Sequence, residues 1–329
     1  TEMGRRRSKS TSYSTKRKEI DEVEILSGVY KGITTGTPLC AIIKNQDTRS
    51  VDYSEMERLL RPGHADYTGY IRYKGYNDIR GGGHFSGRLT APMVFAGAIA
   101  AQILEMQQIY IGSHIDSIYN VKDKGFDKTK ITKEQLLALK KMDIPVNDPS
   151  CLEAYLETIE KARMSQNSVG GIIETAIIGL PAGIGSPIFD NVEAKISRAL
   201  FSVPAVKGIE FGEGFNITSM YGSEANDSFY TDGNKIMTKT NNNGGINGGI
   251  TNGMPVTLRV AIKPTSSISL EQKTVDIKSY ENTTLKVRGR HDTCIVPRAV
   301  PVIEAICAIA VLDLIICQFG LETLNEGDL

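Results

Sequence analysis

The sequence lacks an excess of charge of either sign: Lys plus Arg and Asp plus Glu both number 38, so the formal net charge is zero. A chain so balanced is not a general binder of nucleic acid or of an acidic membrane surface, both of which select accumulated positive charge. A local basic pocket remains open, and the early "GRRRSK" and "TKRK" runs are such departures before "EIDEVEI" reverses the sign. Paired cysteines are missing too. Cys40, Cys151, Cys294, Cys307 and Cys317 form no CxxC pair, and no histidine stands at metal spacing from them. This argues against a disulfide framework and a metal site, and for reduced thiols in a cytoplasmic protein. The longest apolar stretch, "AVPVIEAICAIAVLDLIICQF", is interrupted by Glu304 and Asp313, which predicts a buried helix rather than a membrane span. The first residues do not read as a signal peptide. No repeat of fixed period, GxxxxGK[ST] loop, GxGxxG turn or local Ser-His-Asp or Cys-His signature occurs.

What is present is enough for a sizeable core. With 329 residues, 40% of them hydrophobic, the chain suits one large globular domain or two medium ones. "DEVEILSGVYKGITTGTPLCAIIKN" alternates β-branched residues with Gly turns and predicts a strand pair. "LTAPMVFAGAIAAQILEM" predicts a helix buried on most sides, and "IYIGSHIDSIYNV" a strand in which His114 is structural. "TKEQLLALKKM" reads as a short helix. In "DPSCLEAYLETIEKARMSQN", Asp148 is the expected N-cap and Pro149 the first helical residue, with Leu152, Tyr155, Leu156 and Ile159 on the buried face. "GGIIETAIIGLPAG" predicts strand then turn, "AKISRALFSVPAVKGIEFG" helix then strand, and "MPVTLRVAIKP" an alternating strand ending at Pro264. Strands and helices mix without a regular βαβ beat, which favours α+β with antiparallel sheets.

Polar residues awkward for a core gather in five stretches. In "GRRRSK" an extended backbone would let arginines converge on a phosphate or carboxylate, although composition alone favours a solvated charge run. "RPGHADYTG" places His64 in a Gly/Pro-framed loop with Asp66 two residues on; an imidazole ordinarily titrates near neutrality and suits proton transfer or a structural hydrogen bond. "RGGGHFSGR" runs into a helix with arginines at both ends, which tips it from a tight turn towards an anion site. "KPTSSI" offers one ammonium and three hydroxyls after a strand, a phosphate cradle or an ordinary turn. "RGRHDTCIVPR" sets Asp292 among arginines before an apolar helix, as a base, as the orienter of one, or as part of a salt-bridged loop. A sixth stretch, "TNNNGGINGGITNG", has the composition of a linker. Its Gly-Gly-Ile recurs four residues on and leads into the strand before Lys263, which favours an ordered loop.

These stretches, in this order, together with "MGRRRSKSTSYSTKRKEIDEVEILSGVYKGITTGTPL", "NQDTRSVDYS", "GLPAGIGSPIFD" and "VPAVKGIEFGEGF", resemble the chorismate synthase family over nearly the whole chain. The resemblance implies a layered β-α-β sandwich with antiparallel sheets around a helical core, one domain over residues 1–329. It implies a lyase of the shikimate pathway that binds reduced FMN and eliminates phosphate from 5-enolpyruvylshikimate 3-phosphate to give chorismate. It assigns catalytic roles to His64 and Asp292. It assigns flavin contacts to His84, Phe85, Ser86, Pro204, Ala205, Gly248, Lys263, Pro264, Thr265, Ser266, Ser267 and Arg290. Arg6, Ser12, Arg88 and Arg298 fall near the substrate. A cytoplasmic homotetramer is implied, with NADPH serving only as an external reductant through a separate flavin reductase, and with no nucleic-acid or membrane partner.

Departures from the family pattern accompany the match. Ser12 stands where many members have arginine, His84, Phe85 and Gly87 replace the usual Arg, Ser and Ala, Leu89 replaces Glu, and Asn242 replaces a common histidine. The family's first catalytic histidine, in a Gly-Glu-Ser-His-Gly motif, has no counterpart in the chain, and the expectation is that its segment is missing. The alternative reading is a family member that binds FMN or a phosphometabolite without catalysis. A purely structural α+β protein, a third reading, would bind no FMN.

Overall fold

The computed structural model describes residues 2–7, 21–45, 58–287 and 291–321. Five strands form one antiparallel sheet: β1 (Tyr110–Ile118), β2 (Val121–Lys122), β3 (Gly171–Ile178), β4 (Val206–Phe211) and β5 (Val256–Ile262), in the order β2-β1-β3-β5-β4. The helices that shape the core and the site are α1 (Glu2–Arg6), α2 (Asp66–Arg72), α3 (Thr90–Met106), α4 (Lys133–Leu139), α5 (Cys151–Met164), α6 (Val192–Leu200) and α7 (Val296–Phe319). The α+β class is as the sequence predicts. Beyond the five-stranded sheet, the described strands pair two by two, among them Val23–Ser27 with Cys40–Ile43 and Gln272–Asp276 with Glu281–Leu285.

Period-two alternation gives the sheet two distinct faces. Ile111, Ile115, Ile173, Ile177, Val256, Leu258, Val260 and Ile262 point into the main core. That core is completed by α7, which lies against the sheet and along α3 and α6. The apolar run read as a buried helix is this one: Glu304 is buried with it and paired to Arg5 of α1 at 2.5 Å, while Asp313 reaches Lys195 of α6 at 2.9 Å. By length and composition α3 and α7 are the two described helices able to cross a membrane, and α7 spends most of its apolar length inside the core.

Two helices depart from the sequence reading. Only one stripe of α3 is buried, through Ala91, Val94, Gly97, Ala100 and Leu104, because α7 covers a single side of it. In α5 the buried residues are Tyr155, Ile159 and Ala162, whereas Leu152 and Leu156 are 36% and 37% exposed. The Tyr155 hydroxyl donates to the Ile115 carbonyl at 2.9 Å, which fixes that face on the sheet and rotates the two leucines outward. The N-cap position is Ser150, two residues later than expected; Asp148, just before it, accepts from the Ser150 N–H at 2.9 Å.

His114 is structural, as expected, and its setting is ionic. On the outer sheet face, under a smaller cluster of Tyr110, Phe126, Ile131, Leu136 and Leu139, its Nδ1 lies 2.9 Å from Asp123 and its Nε2 2.7 Å from Glu174. Burial disfavours the imidazolium, but hydrogen bonds and charge from Asp123 and Glu174 prevail and push its pKa up to about 9. A raised folded-state pKa contributes stability that is complete below the ordinary histidine value, about 6.5, and disappears as pH rises through about 9.

Two expectations follow for denaturation experiments. In wild type, stability attributable to this triad declines between about pH 6.5 and pH 9; His114→Gln flattens that part of the profile, and an unchanged profile contradicts the ionic account. A Cβ on Gly97 would lie 2.4 Å from the Ala305 Cβ. Gly97→Val therefore forces α3 off α7 and destabilises by about 1–3 kcal/mol or more, the usual scale of overpacking, read as a lower unfolding midpoint.

Candidate functional site

Arg5 and Arg6 of the early basic run are ordered into a helix, not solvated. Arg6 in α1 is 3% exposed. Its Nε donates to Thr90 Oγ1 at 2.9 Å, its Nη1 to Asp21 at 2.6 Å and its Nη2 to the Gly87 carbonyl at 3.1 Å, so the side chain spans from α1 to the start of α3. Arg298 Nε in turn donates to the Arg6 carbonyl at 3.2 Å. The local sequence favoured a charge run in water because these acceptors lie far along the chain.

The His64 loop is held from both sides. Asp66, at the first position of α2, accepts from the Arg61 backbone N–H at 2.9 Å, from Arg61 Nε at 2.8 Å and Nη2 at 2.7 Å, and sits 2.7 Å from His64 Nδ1. Burial raises a carboxyl's pKa, but here the hydrogen bonds and charge of Arg61 and His64 hold Asp66 well below the usual carboxylate range. From the other side, Lys263 Nζ at 2.5 Å and Ser266 Oγ at 3.0 Å both donate to the Gly63 carbonyl.

The Lys263–Ser267 turn is anchored as strongly as the loop it grips. Thr265 Oγ1 donates to the Asp292 carbonyl at 2.8 Å, Ser168 Oγ to the Thr265 carbonyl at 2.7 Å, and the Lys263 N–H to the Ala205 carbonyl at 2.9 Å. Ala205 takes a left-handed φ of 74°, a costly conformation for a side-chain-bearing residue that brings Pro204 and Ala205 against the turn. Asp292 precedes α7 and accepts from Arg298 Nη1 at 2.9 Å. Residues Arg80–Phe85 and Gly87–Leu89 form two 3-10 turns that feed α3, with Ser86 Oγ accepting the Arg88 N–H at 3.2 Å. Phe85 rests on α2 where Gly69 has no side chain; a Cβ there would fall 2.6 Å from the ring.

The segments that carry these groups border one cavity of about 740 Å3, inside the roughly 300–1,000 Å3 range of sites that bury a small organic ligand; Asp21, Asp66, Gly69 and Ser168 stand behind its lining. Its polar wall includes Arg6, Arg61, His64, His84, Ser86, Arg88, Lys207, Lys263, Thr265, Ser266, Ser267, His291, Asp292 and Arg298. Its apolar wall is Phe85, Phe201, Val203, Pro204, Ala205, Val206, Pro264, Ile295 and Val302. Four guanidinium groups and two ammonium groups, Lys207 and Lys263, on a half-apolar wall suit a ligand with both a ring system and phosphate.

Of the sequence-predicted site residues, Ser12 and Arg290 lie outside the described residues, and all the others but one line this cavity. The exception is Gly248. It sits at the tip of the hairpin Ile246–Asn247/Ile250–Thr251, outside the lining, and a Cβ there would meet nothing within 4 Å. Its stretch is nevertheless ordered, not a linker: Asn241 accepts the Gly245 N–H at 2.7 Å and donates to the Pro255 and Lys128 carbonyls. Arg61, Phe201 and Thr90 were not singled out from sequence. Arg61 could have been, as a buried cation needs a partner and Asp66 stands five residues on.

Three comparisons bear on this geometry. A family model described as chorismate synthase matches residues 1–316. A chorismate synthase from Thermococcus kodakarensis is 48% identical over 301 residues, 92% of this chain and 82% of that protein. One from Dehalococcoides mccartyi is 43% identical over 313 residues, 95% of this chain and 85% of that protein. A crystal structure of chorismate synthase superposes with a TM-score of 0.70 at 28% identity, covering 93% of this chain and 82% of the other.

The ion cluster around Asp66 has a measurable signature. A depressed folded-state pKa adds stability that is present above the ordinary carboxylate value, about 3.9, and is lost as pH falls towards the folded value. The stability gap between wild type and Asp66→Asn is therefore constant above about pH 5 and narrows below about pH 4; a gap that widens on acidification contradicts the assignment.

Proposed function

The chain belongs to the chorismate synthase family, and from that membership we propose that it removes phosphate from 5-enolpyruvylshikimate 3-phosphate to give chorismate, with reduced FMN bound beside the substrate. The observation that carries this reading is the convergence of the His64 loop, the glycine-rich turn, the Lys263–Ser267 turn and the start of α7 on one cavity. A 1,4-elimination breaks a C–O bond to phosphate and a C–H bond and creates a ring double bond; the phosphate leaves with an electron pair and the proton passes to a base. Such a reaction needs fixed cations where phosphate departs and a proton acceptor nearby.

The residues present fit reduced FMN. Pro204, Ala205, Val203 and Phe85 offer the apolar wall that an isoalloxazine ring needs, and Lys263, Thr265, Ser266 and Ser267 offer donors for its phosphate and ring heteroatoms. When bound, the flavin supplies electron density that eases phosphate loss and is returned, so the reaction has no net oxidation. His64 holds or delivers a proton at Nε2, the ring nitrogen that Asp66 does not engage. Asp292, oriented by Arg298, serves as the proton acceptor. Arg6, Arg88 and Arg298 bind the anionic substrate, and His84 and Ser86 complete the flavin side. Gly248 is left out of the contacts one chain makes. The family reading extends to a single domain, a cytoplasmic homotetramer, and an external NADPH-dependent supply of reduced flavin.

Anaerobic incubation with reduced FMN and 5-enolpyruvylshikimate 3-phosphate tests the proposal directly. Chorismate absorbance and free phosphate are expected to rise together. His64→Ala and Asp292→Ala are each expected to lower kcat by about 10²–10⁴-fold, the usual worth of a positioned acid or base. Flavin binding with neither product formed would favour the non-catalytic alternative, and wild-type turnover in both variants would remove their assigned roles.

A further inference from the structure

The Arg61–Asp66–His64 cluster does more than stabilise a turn. Asp66 has two oxygens, and each is committed: Oδ2 receives the Arg61 backbone N–H and Nε–H, at 2.9 and 2.8 Å, while Oδ1 receives Arg61 Nη2 at 2.7 Å and faces His64 Nδ1 at 2.7 Å. Arg61 Nη2 also lies 3.0 Å from His64 Nδ1. A guanidinium N–H only donates, so the sole acceptor available to an Nδ1–H is the Asp66 carboxylate. Arg61 Nη2 is able to donate to a bare Nδ1, but a bare Nδ1 would set its lone pair against an ionised carboxylate oxygen at 2.7 Å; a proton on Nδ1 turns that shorter contact into a hydrogen bond.

We infer that Asp66 is a positioning residue that fixes the neutral His64 imidazole in its Nδ1–H tautomer, leaving Nε2 as the atom that takes up or releases a proton in the cavity. This rests on the role proposed for His64 and deepens it. Arg61 is the clamp: its three donors hold the carboxylate in one orientation, and its Nη1 makes a longer contact, 3.4 Å, to Ser267 Oγ of the neighbouring turn. The same turn holds the Gly63 carbonyl through Lys263 and Ser266, so the backbone on which His64 rides is fixed as well as its ring. The charged groups in contact with the imidazole are Arg61 and Asp66 from its own segment; Lys263 holds the loop backbone from the facing turn, and Arg6, Arg88, Lys207, Asp292 and Arg298 line the same cavity.

The orientation can be inverted by a near-isosteric change. In Asp66→Asn the amide oxygen must occupy the Oδ2 position, because two Arg61 donors point at it. The amide NH2 then takes the Oδ1 position, where it gives up the single Arg61 Nη2 contact rather than the two at Oδ2, and donates to His64 Nδ1, which forces the opposite tautomer, with the proton on Nε2. The geometry resembles an aspartate holding a catalytic histidine, where the corresponding change leaves the ring in place and puts the proton on the wrong nitrogen.

Nitrogen-15 NMR of the histidine-labelled protein without flavin or substrate reads the tautomer, with the His64 signal among the four histidines assigned by its loss in His64→Gln. Wild type is expected to show neutral His64 as Nδ1–H, and Asp66→Asn as Nε2–H. With flavin and substrate added, Asp66→Asn is expected to keep KM and FMN affinity near wild type while kcat falls by about 10²-fold or more. An Nε2–H tautomer in wild type overturns the inference even if the variant does not fold. So does an Asp66→Asn protein that keeps both the Nδ1–H tautomer and wild-type kcat. The NMR measurement needs no turnover, so absence of chorismate formation by wild type would sink the functional reading and leave this assignment standing.

Discussion

A helix with almost no polar side to offer sets the terms for the rest of the molecule. Residues Val296–Phe319 are apolar around most of their circumference, so no single neighbour can cover them. The sheet takes one side, α3 and α6 take others, and α1 closes the beginning by bringing Arg5 to Glu304. Close approach is obligatory where α3 crosses, which is why Gly97 faces Ala305 with no room for a side chain. Because the helix starts at Val296, the segment that leads into it is rigid at its end, and Asp292 and Arg298 inherit that rigidity on either side of the start.

The site is assembled from segments that grip one another's backbone. The Lys263–Ser267 turn holds the Gly63 carbonyl and the Asp292 carbonyl, Arg298 holds the Arg6 carbonyl, and Arg6 holds the Gly87 carbonyl. These bonds to neutral carbonyls tie the cavity walls together without discharging the cations, whereas the Asp21 and Asp292 carboxylates paired to Arg6 and Arg298 offset part of their charge. The dense cross-bonding suits a reaction in which the protein mainly orients two anionic molecules and moves protons at fixed atoms.

How much of this was legible beforehand depended on the distance of the partner. Period-two strands such as β5 and the helix start at Thr132 were readable because their determinants are local. The resemblance of ordered motifs located the cavity walls, since motif residues meet there whatever the intervening chain does. Arg6 was misjudged on composition alone because Thr90 and Gly87 lie some eighty residues away. Leu152 and Leu156 looked like a buried face until the Tyr155 hydroxyl set the rotation of α5. Gly248 shows the opposite limit: the motif around it is ordered, yet the hairpin tip lies outside the lining of the cavity built by its own chain.

The account's central claim is that one cavity holds both phosphate-bearing molecules between His64, the Lys263–Ser267 turn and the start of α7. A crystal structure with FMN and 5-enolpyruvylshikimate 3-phosphate bound together tests it most directly. The account predicts the flavin against Pro204, Ala205 and Lys263, with the substrate among Arg6, Arg88 and Arg298 and both within reach of His64 or Asp292. Either molecule lying outside that cavity would contradict it.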